Sequence, residues 1–195
     1  MGEFFTSFDE AWSFFLQRAE PLEDFFADFP DDDEASLEGW LIEPSDELKA
    51  AARPLQQSLS RYPWLFPVPD HFLHVWIGLG DRIGDAWEGW REIESFQVAY
   101  AGVNCFHAAV VVEAAGPLQQ LVRGTPNDLP TFLPHMTVAV THEPSPPGAL
   151  RDALVPLRHT VLGSQLVGEV KRVRFPAGRR TLYRPWSVEQ LVPLR

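Results

Sequence analysis

The stretch Leu133–Val140, LPHMTVAV, decides how this chain is read. It is an apolar run carrying one imidazole and one hydroxyl. Side chains alternate faces along a strand, so residues i and i+2 share a side. His135 and Thr137 therefore point one way, and Met136 and Val138 the other. A second stretch, Leu73–Gly80, LHVWIGLG, has a similar design. A histidine opens an apolar run, and His74 shares its side with Trp76. The two histidines lie 61 residues apart, about one lobe of a duplicated domain.

Strand and helix signals alternate around these two runs. Residues 6–29 read as helix, with Ser7 and Glu10 spaced as a capping box and Pro21 dividing the segment in two. Residues 30–38, PDDDEASLE, read as a polar, solvated loop. Residues 38–44 read as a short strand. Ser45 then caps a helix that aligns Leu48, Ala51, Ala52, Leu55 and Leu59 on one face. Residues 85–96 read as helix, 96–116 as two strands with a turn near Gly102–Asn104, and 117–126 as a short helix. Residues 146–161 read as a helix with proline near its start, and 168–177 and 181–194 as strands. The order after the histidine in each run partly repeats. It predicts an α/β chain, α+β in its segregation, with two pseudo-symmetric lobes of mixed or antiparallel sheet flanking a central cleft. Residues 1–36 form an acidic helical N-terminal extension to a bilobal domain over 37–195.

The formal net charge of −11 conceals a division. Residues 1–50 hold fifteen acids and two bases, whereas the last 45 residues hold nine bases and three acids. Acidity at one end therefore does not exclude an anionic ligand at the other. Cys105 is the single cysteine, so no internal disulfide or thiolate zinc cluster can form. No apolar run reaches the roughly 18 residues of a membrane span. The start of the chain, MGEFFTSFDEAW, carries acids and no basic leader. The expected location is the cytoplasm.

Two imidazoles facing one cleft suit phosphodiester cleavage. One takes a proton from the nucleophile and the other gives a proton to the leaving oxygen, and histidine titrates near neutrality, where it can do either. A hydroxyl two residues along can donate to a non-bridging phosphate oxygen. This chemistry calls for no metal and no cofactor.

The paired runs, PHMTVAV and LHVWIGLG, with the strand pair and short helix of residues 94–124 between them, resemble the two-histidine (2H) phosphoesterase superfamily. That superfamily includes 2'-5' RNA ligase-like proteins and cyclic nucleotide phosphodiesterases. The resemblance covers about residues 38–195. It implies two H-x-[ST] motifs on strands of two lobes, a nucleotide or RNA-end substrate, and metal-independent catalysis. Carried onto this chain, it makes His74 and His135 the general base and acid and gives Thr137 the phosphate. Trp76 stands where the superfamily has threonine or serine. An indole N–H donates one hydrogen bond and its ring can stack on a base, so Trp76 is expected to line the substrate cleft. The competing expectation is a module of the same fold that binds nucleotides or RNA ends with little or no turnover.

Other residues have plainer readings. His71 and His142 flank the two runs as rim residues, His107 reads as a satisfied strand histidine, and His159 sits near a helix end. Lys171, Arg172, Arg174, Arg179 and Arg180 read as a solvated strand edge or as contacts to a phosphate backbone. Tyr183, Arg184 and Trp186 read as packing or as stacking partners for bases. The glycines of GLGDRIG, 78–84, do not have phosphate-loop spacing.

Overall fold

The computed structural model describes residues 4–106, 108–129 and 131–195; His107, read above as a strand histidine, lies outside them. The chain opens with α1 (Phe8–Gln17), which ends before Pro21, and a short 3-10 turn at Phe25–Asp28 follows. Ser7 Oγ accepts from the Glu10 amide at 3.1 Å, as a capping residue should. The Glu10 carboxylate reaches back to Thr6, one residue earlier than the reciprocal box requires.

Strand β1 (Ser36–Ile42) buries Trp40, Leu41 and Ile42. Helix α2 (Asp46–Leu59) starts where Ser45 Oγ accepts from the Leu48 amide at 3.3 Å. It buries Leu48, Ala52, Leu55 and Leu59, the face read from their spacing. Then come β2 (Leu65–Pro67), β3 (Val75–Leu79), the single turn α3 (Gly80–Ile83), β4 (Phe96–Phe106), β5 (Ala109–Ala115) and α4 (Gln119–Val122). The chain closes with β6 (His135–Thr141), α5 (Pro147–Leu154), β7 (Val161–Val167), β8 (Glu169–Pro176) and β9 (Ser187–Pro193).

The protein is α+β. The nine strands of the described residues form a single sheet in the order β7-β4-β5-β6-β3-β1-β8-β9, with β2 also paired to β6. Every ladder among the described residues is antiparallel. The order is symmetric about one seam. Strands β6, β5, β4 and β7 lie on one side, and β3, β1, β8 and β9 on the other. The histidine-led strands meet at that seam, where Val75 stands opposite Met136.

Three local expectations are corrected. The chain does not turn near Gly102–Asn104: β4 runs on to Phe106, and Gly102 sits inside it at φ 84 beside a break in register. A glycine supplies this left-handed backbone at little cost, so the strand bends and continues. Residues 146–161 are not one helix, because α5 stops at Leu154, Pro156 tightens the next turn to 3-10, and Val161 opens the edge strand β7. Residues 84–92 wind as 3-10 rather than α-helix, with Trp90 buried and its Nε1 donating to the Leu121 carbonyl at 3.1 Å.

Candidate active site

The seam positions the candidate residues. Val75 and Met136 are fully buried on one face of the sheet. Alternation puts His74, Trp76, His135 and Thr137 on the other. Continuing the antiparallel register by one residue on each side sets His74 across from Thr137 and Trp76 across from His135. The two histidines are then diagonal neighbours, a relation that spaces such residues about 7–8 Å apart.

The two imidazoles are held in the same way. Nδ1 of His74 bonds to the Phe72 carbonyl at 2.7 Å, and Nδ1 of His135 to the Leu133 carbonyl at 2.6 Å. A carbonyl oxygen only accepts, so each Nδ1 carries the hydrogen. Nε2 is therefore the proton-exchanging nitrogen of each neutral ring. The same bond, to the carbonyl two residues upstream, recurs across the seam.

The surroundings differ. The His74 ring lies edge-on to Phe72 at 5.4 Å, Trp76 at 5.9 Å and Trp186 at 5.6 Å. Burial lowers its pKa below the ordinary imidazole value, and the bond to Phe72 offsets only part of that. His135 meets the edge of Phe106 at 4.9 Å. Glu113 stands opposite His135 on β5, with its carboxylate taken by Arg158 and by Asn104 at 2.9 Å.

Trp76 has room because β1 carries Gly39. A Cβ at Gly39 would come within 1.8 Å of the indole ring. The ring thus lies over β1 and meets Phe175 of β8 edge-on at 5.5 Å. Residue 76 supplies an apolar wall and no hydroxyl. The Thr137 hydroxyl has no hydrogen-bond partner among the described residues and is partly exposed.

Two cavities open on this face. One, of about 330 Å³, is lined by His74, Trp76, Thr137, Phe72, Phe175 and Tyr183 among others. The other, of about 320 Å³, holds His135 with Arg82, Asn127 and Thr131. The geometry therefore joins His74, Trp76 and Thr137 in one cavity and gives His135 a neighbouring one. Sequence reading missed Arg82 and Asn127, which reach the site from outside the strands. Asn127 is admitted by Gly78, where a Cβ would meet its side chain at 2.0 Å. No spacing in the sequence links 78 to 127.

Most of the remaining candidates have structural partners. Nε2 of His71 bonds to the Tyr183 carbonyl at 2.8 Å, and Nε2 of His142 to the Pro63 carbonyl at 2.6 Å. His159 is exposed. The basic cluster is not a bare phosphate track. Lys171 pairs with Glu43 at 2.7 Å, Arg172 and Arg174 pair with Glu38, and Arg179 pairs with Asp24 at 2.7 Å. The Arg172 hydrogen bond in turn holds the Glu38 carboxyl below its ordinary pKa. Tyr183 and Trp186 pack beside the site, each against Phe72, and burial raises the Tyr183 phenol. Among the described residues, no group of three His, Cys, Asp or Glu side chains is placed to hold a metal ion. None of their helices is long and apolar enough to cross a membrane.

Solved structures share this fold. TT0787 of Thermus thermophilus matches with TM-score 0.63 at 17% identity, over 82% of this chain and 98% of its own. Escherichia coli LigT complexed with phosphate matches with TM-score 0.56 at 13% identity, over 90% of this chain and 98% of its own. LigT complexed with 3'-AMP matches with TM-score 0.54 at 14% identity, over 83% of this chain and 99% of its own. No family model matches the sequence, and no curated protein matches it. The chain has the fold of LigT, that of the two-histidine phosphoesterases.

Proposed function

We propose that the protein is a metal-independent phosphodiesterase acting on a 2',3'-cyclic phosphate, a 2'-5' linkage or a small cyclic nucleotide, with His74 and His135 as its acid–base pair. The observation that carries this reading is the matched bonding of both Nδ1 atoms across the seam. It makes Nε2 the proton-exchanging nitrogen of each neutral ring, with both rings on one face of the sheet. The four-strand halves on either side of the seam serve as the two lobes. LigT, of the same fold, has been crystallised with phosphate and with 3'-AMP.

In the cyclic-phosphate case, water attacks phosphorus. One imidazole accepts the water proton through Nε2. The bond from phosphorus to one ribose oxygen breaks, and the other ring, as imidazolium, gives that oxygen a proton. The lowered pKa of His74 keeps it neutral near pH 7, which suits the base. Thr137 donates to a non-bridging oxygen. Purified protein is incubated with 2',3'-cyclic nucleotides and short 2'-5' oligonucleotides, beside His74→Ala and His135→Ala. Hydrolysis that both variants abolish supports the reading.

A second reading has its own observation. Trp76 removes one phosphate donor, and no Arg or Lys lines the cavity of His74. Such a site could hold a nucleotide without turning it over. Nucleotide binding lost in His135→Ala, with no hydrolysis by the wild type, would favour it.

A further inference from the structure

Residues 4–35 do not trail from the domain. They cross the face that carries the histidines. Phe4 and Phe5 line the cavity of His135, and Phe25 and Phe29 line that of His74. The crossing is fastened on both sides of the seam. Asn104 donates to the Phe8 carbonyl at 2.8 Å, and Arg151 to the Leu16 carbonyl at 2.6 Å. Thr141, at the end of β6, donates to the Glu23 carbonyl at 2.5 Å, and the Ser145 amide to the Leu22 carbonyl at 3.2 Å. Beyond the cavity Arg179 pairs with Asp24, its amide donates to the Pro30 carbonyl at 2.8 Å, and the Ala177 amide donates to the Ala35 carbonyl at 2.8 Å. Gly178 lies so close beneath that a Cβ there would meet the Asp32 carbonyl oxygen at 2.3 Å.

This strap changes what the site can admit. An RNA end needs an open groove for the chain behind the terminal nucleotide, and cations to follow its phosphates. Here the face is crossed by the strap, and the cavity beside His74 has aromatic walls and no Arg or Lys. Of the neighbouring cations of β8 and the following loop, Lys171, Arg172, Arg174 and Arg179 are paired with Glu43, Glu38 and Asp24, and the exposed Arg180 and Arg184 lie outside the cavity of His74. A volume of about 330 Å³ suits one nucleotide. Its walls, Phe25 and Phe29 from the strap with Phe72, Trp76, Phe175 and Tyr183, suit a base ring.

From this we infer that the substrate class is a single nucleotide bearing a cyclic phosphate, its base held between the strap residues Phe25 and Phe29 and the aromatic wall of the sheet, and not the end of an RNA chain. The inference rests on the phosphodiesterase reading for the cyclic phosphate, and on the cavity alone for size and base.

Binding to the full-length protein is measured by tryptophan fluorescence, with adenosine 3'-monophosphate and with a short RNA ending in a 3'-phosphate as probes. The mononucleotide is expected to bind about ten-fold or more tightly than the RNA, since lost stacking costs about that factor per base. Phe25→Ala with Phe29→Ala should weaken the mononucleotide about ten-fold. Arg179→Ala leaves the cavity walls intact and frees Asp24, so it should narrow the gap by admitting the RNA. The inference is overturned if the RNA binds as tightly as the mononucleotide, if neither binds, or if neither variant moves the preference. Turnover of adenosine 2',3'-cyclic phosphate separates the two readings. Preference in binding without hydrolysis sinks catalysis and keeps the mononucleotide site. Equal hydrolysis of mononucleotide and RNA-terminal cyclic phosphates keeps catalysis and sinks the size limit.

Discussion

His74 shows how one ring can be tuned by its neighbours. Three aromatic rings surround it and a backbone carbonyl fixes its Nδ1 hydrogen. Its pKa is lowered in the folded state, so the unfolded chain binds its proton more readily. Stability therefore falls as pH drops from the ordinary imidazole value toward the lowered folded one, and is retained above that window. His74→Asn, whose amide can still donate to the Phe72 carbonyl, should remove this part of the acid-side loss in urea titrations across that range. In the catalytic reading, the acid limb of kcat/KM should likewise lie below the ordinary imidazole value, and His74→Ala should cost about 10²-fold or more in rate. Trp76 and Gly39 form a second pair to test. Gly39→Ala pushes a methyl into the indole, and overpacking of this kind costs about 1–3 kcal/mol. Adding Trp76→Thr should recover much of that loss, giving a clear coupling in a double-mutant cycle read by chemical denaturation. If the two effects simply add, the ring does not lie where Gly39 admits it.

At the scale of elements, α2 is tied to the seam by one side chain. Gln56 is buried, and its amide donates to the Val68 carbonyl at 2.6 Å and the Val138 carbonyl at 3.3 Å. Val138 is the residue that β5 skips, since Thr137 faces Val111 and Ala139 faces Val110. Gln56 thus serves a carbonyl at the bulge in the strand of His135 and Thr137. Gln56→Ala should destabilise the fold by about 1–3 kcal/mol in urea unfolding, through the Val68 carbonyl left without its donor, since the Val138 carbonyl still accepts from the Val68 amide at 3.0 Å. The spacing of Leu48, Ala52, Leu55 and Leu59 was enough to read this helix, because period 3.6 is a local signal. The edge strand β7 was not legible in the same way. Val161 and Leu166 are exposed, and Gly163 interrupts the run. Its strand state comes from pairing with β4, a partner sixty or more residues earlier in sequence.

For the whole molecule, charge is arranged so that the two ends of the chain neutralise each other. Acids of residues 24–43 pair with Lys171, Arg172, Arg174 and Arg179. With a net charge of −11 and those cations engaged, RNA should not bind nonspecifically at low salt, and mononucleotide affinity should change little as salt rises. Gel-shift and fluorescence titrations over a salt series check both expectations, and a steep fall of affinity with salt would refute the second. The sequence by itself determined the α+β class, the two histidine-led strands, the face each histidine takes on its strand, and a tryptophan at 76 beside the first histidine. These follow from local periodicity and residue chemistry, which one stretch of chain carries alone. Only the tertiary structure decided that the halves share one sheet, that the histidines line neighbouring cavities, and that the acidic N-terminus lies across their face. Those facts depend on contacts between distant stretches, such as Gly39 with Trp76 and Asp24 with Arg179. A side chain's partner across the fold is set by close packing and charge pairing in space, and neither has a period along the chain.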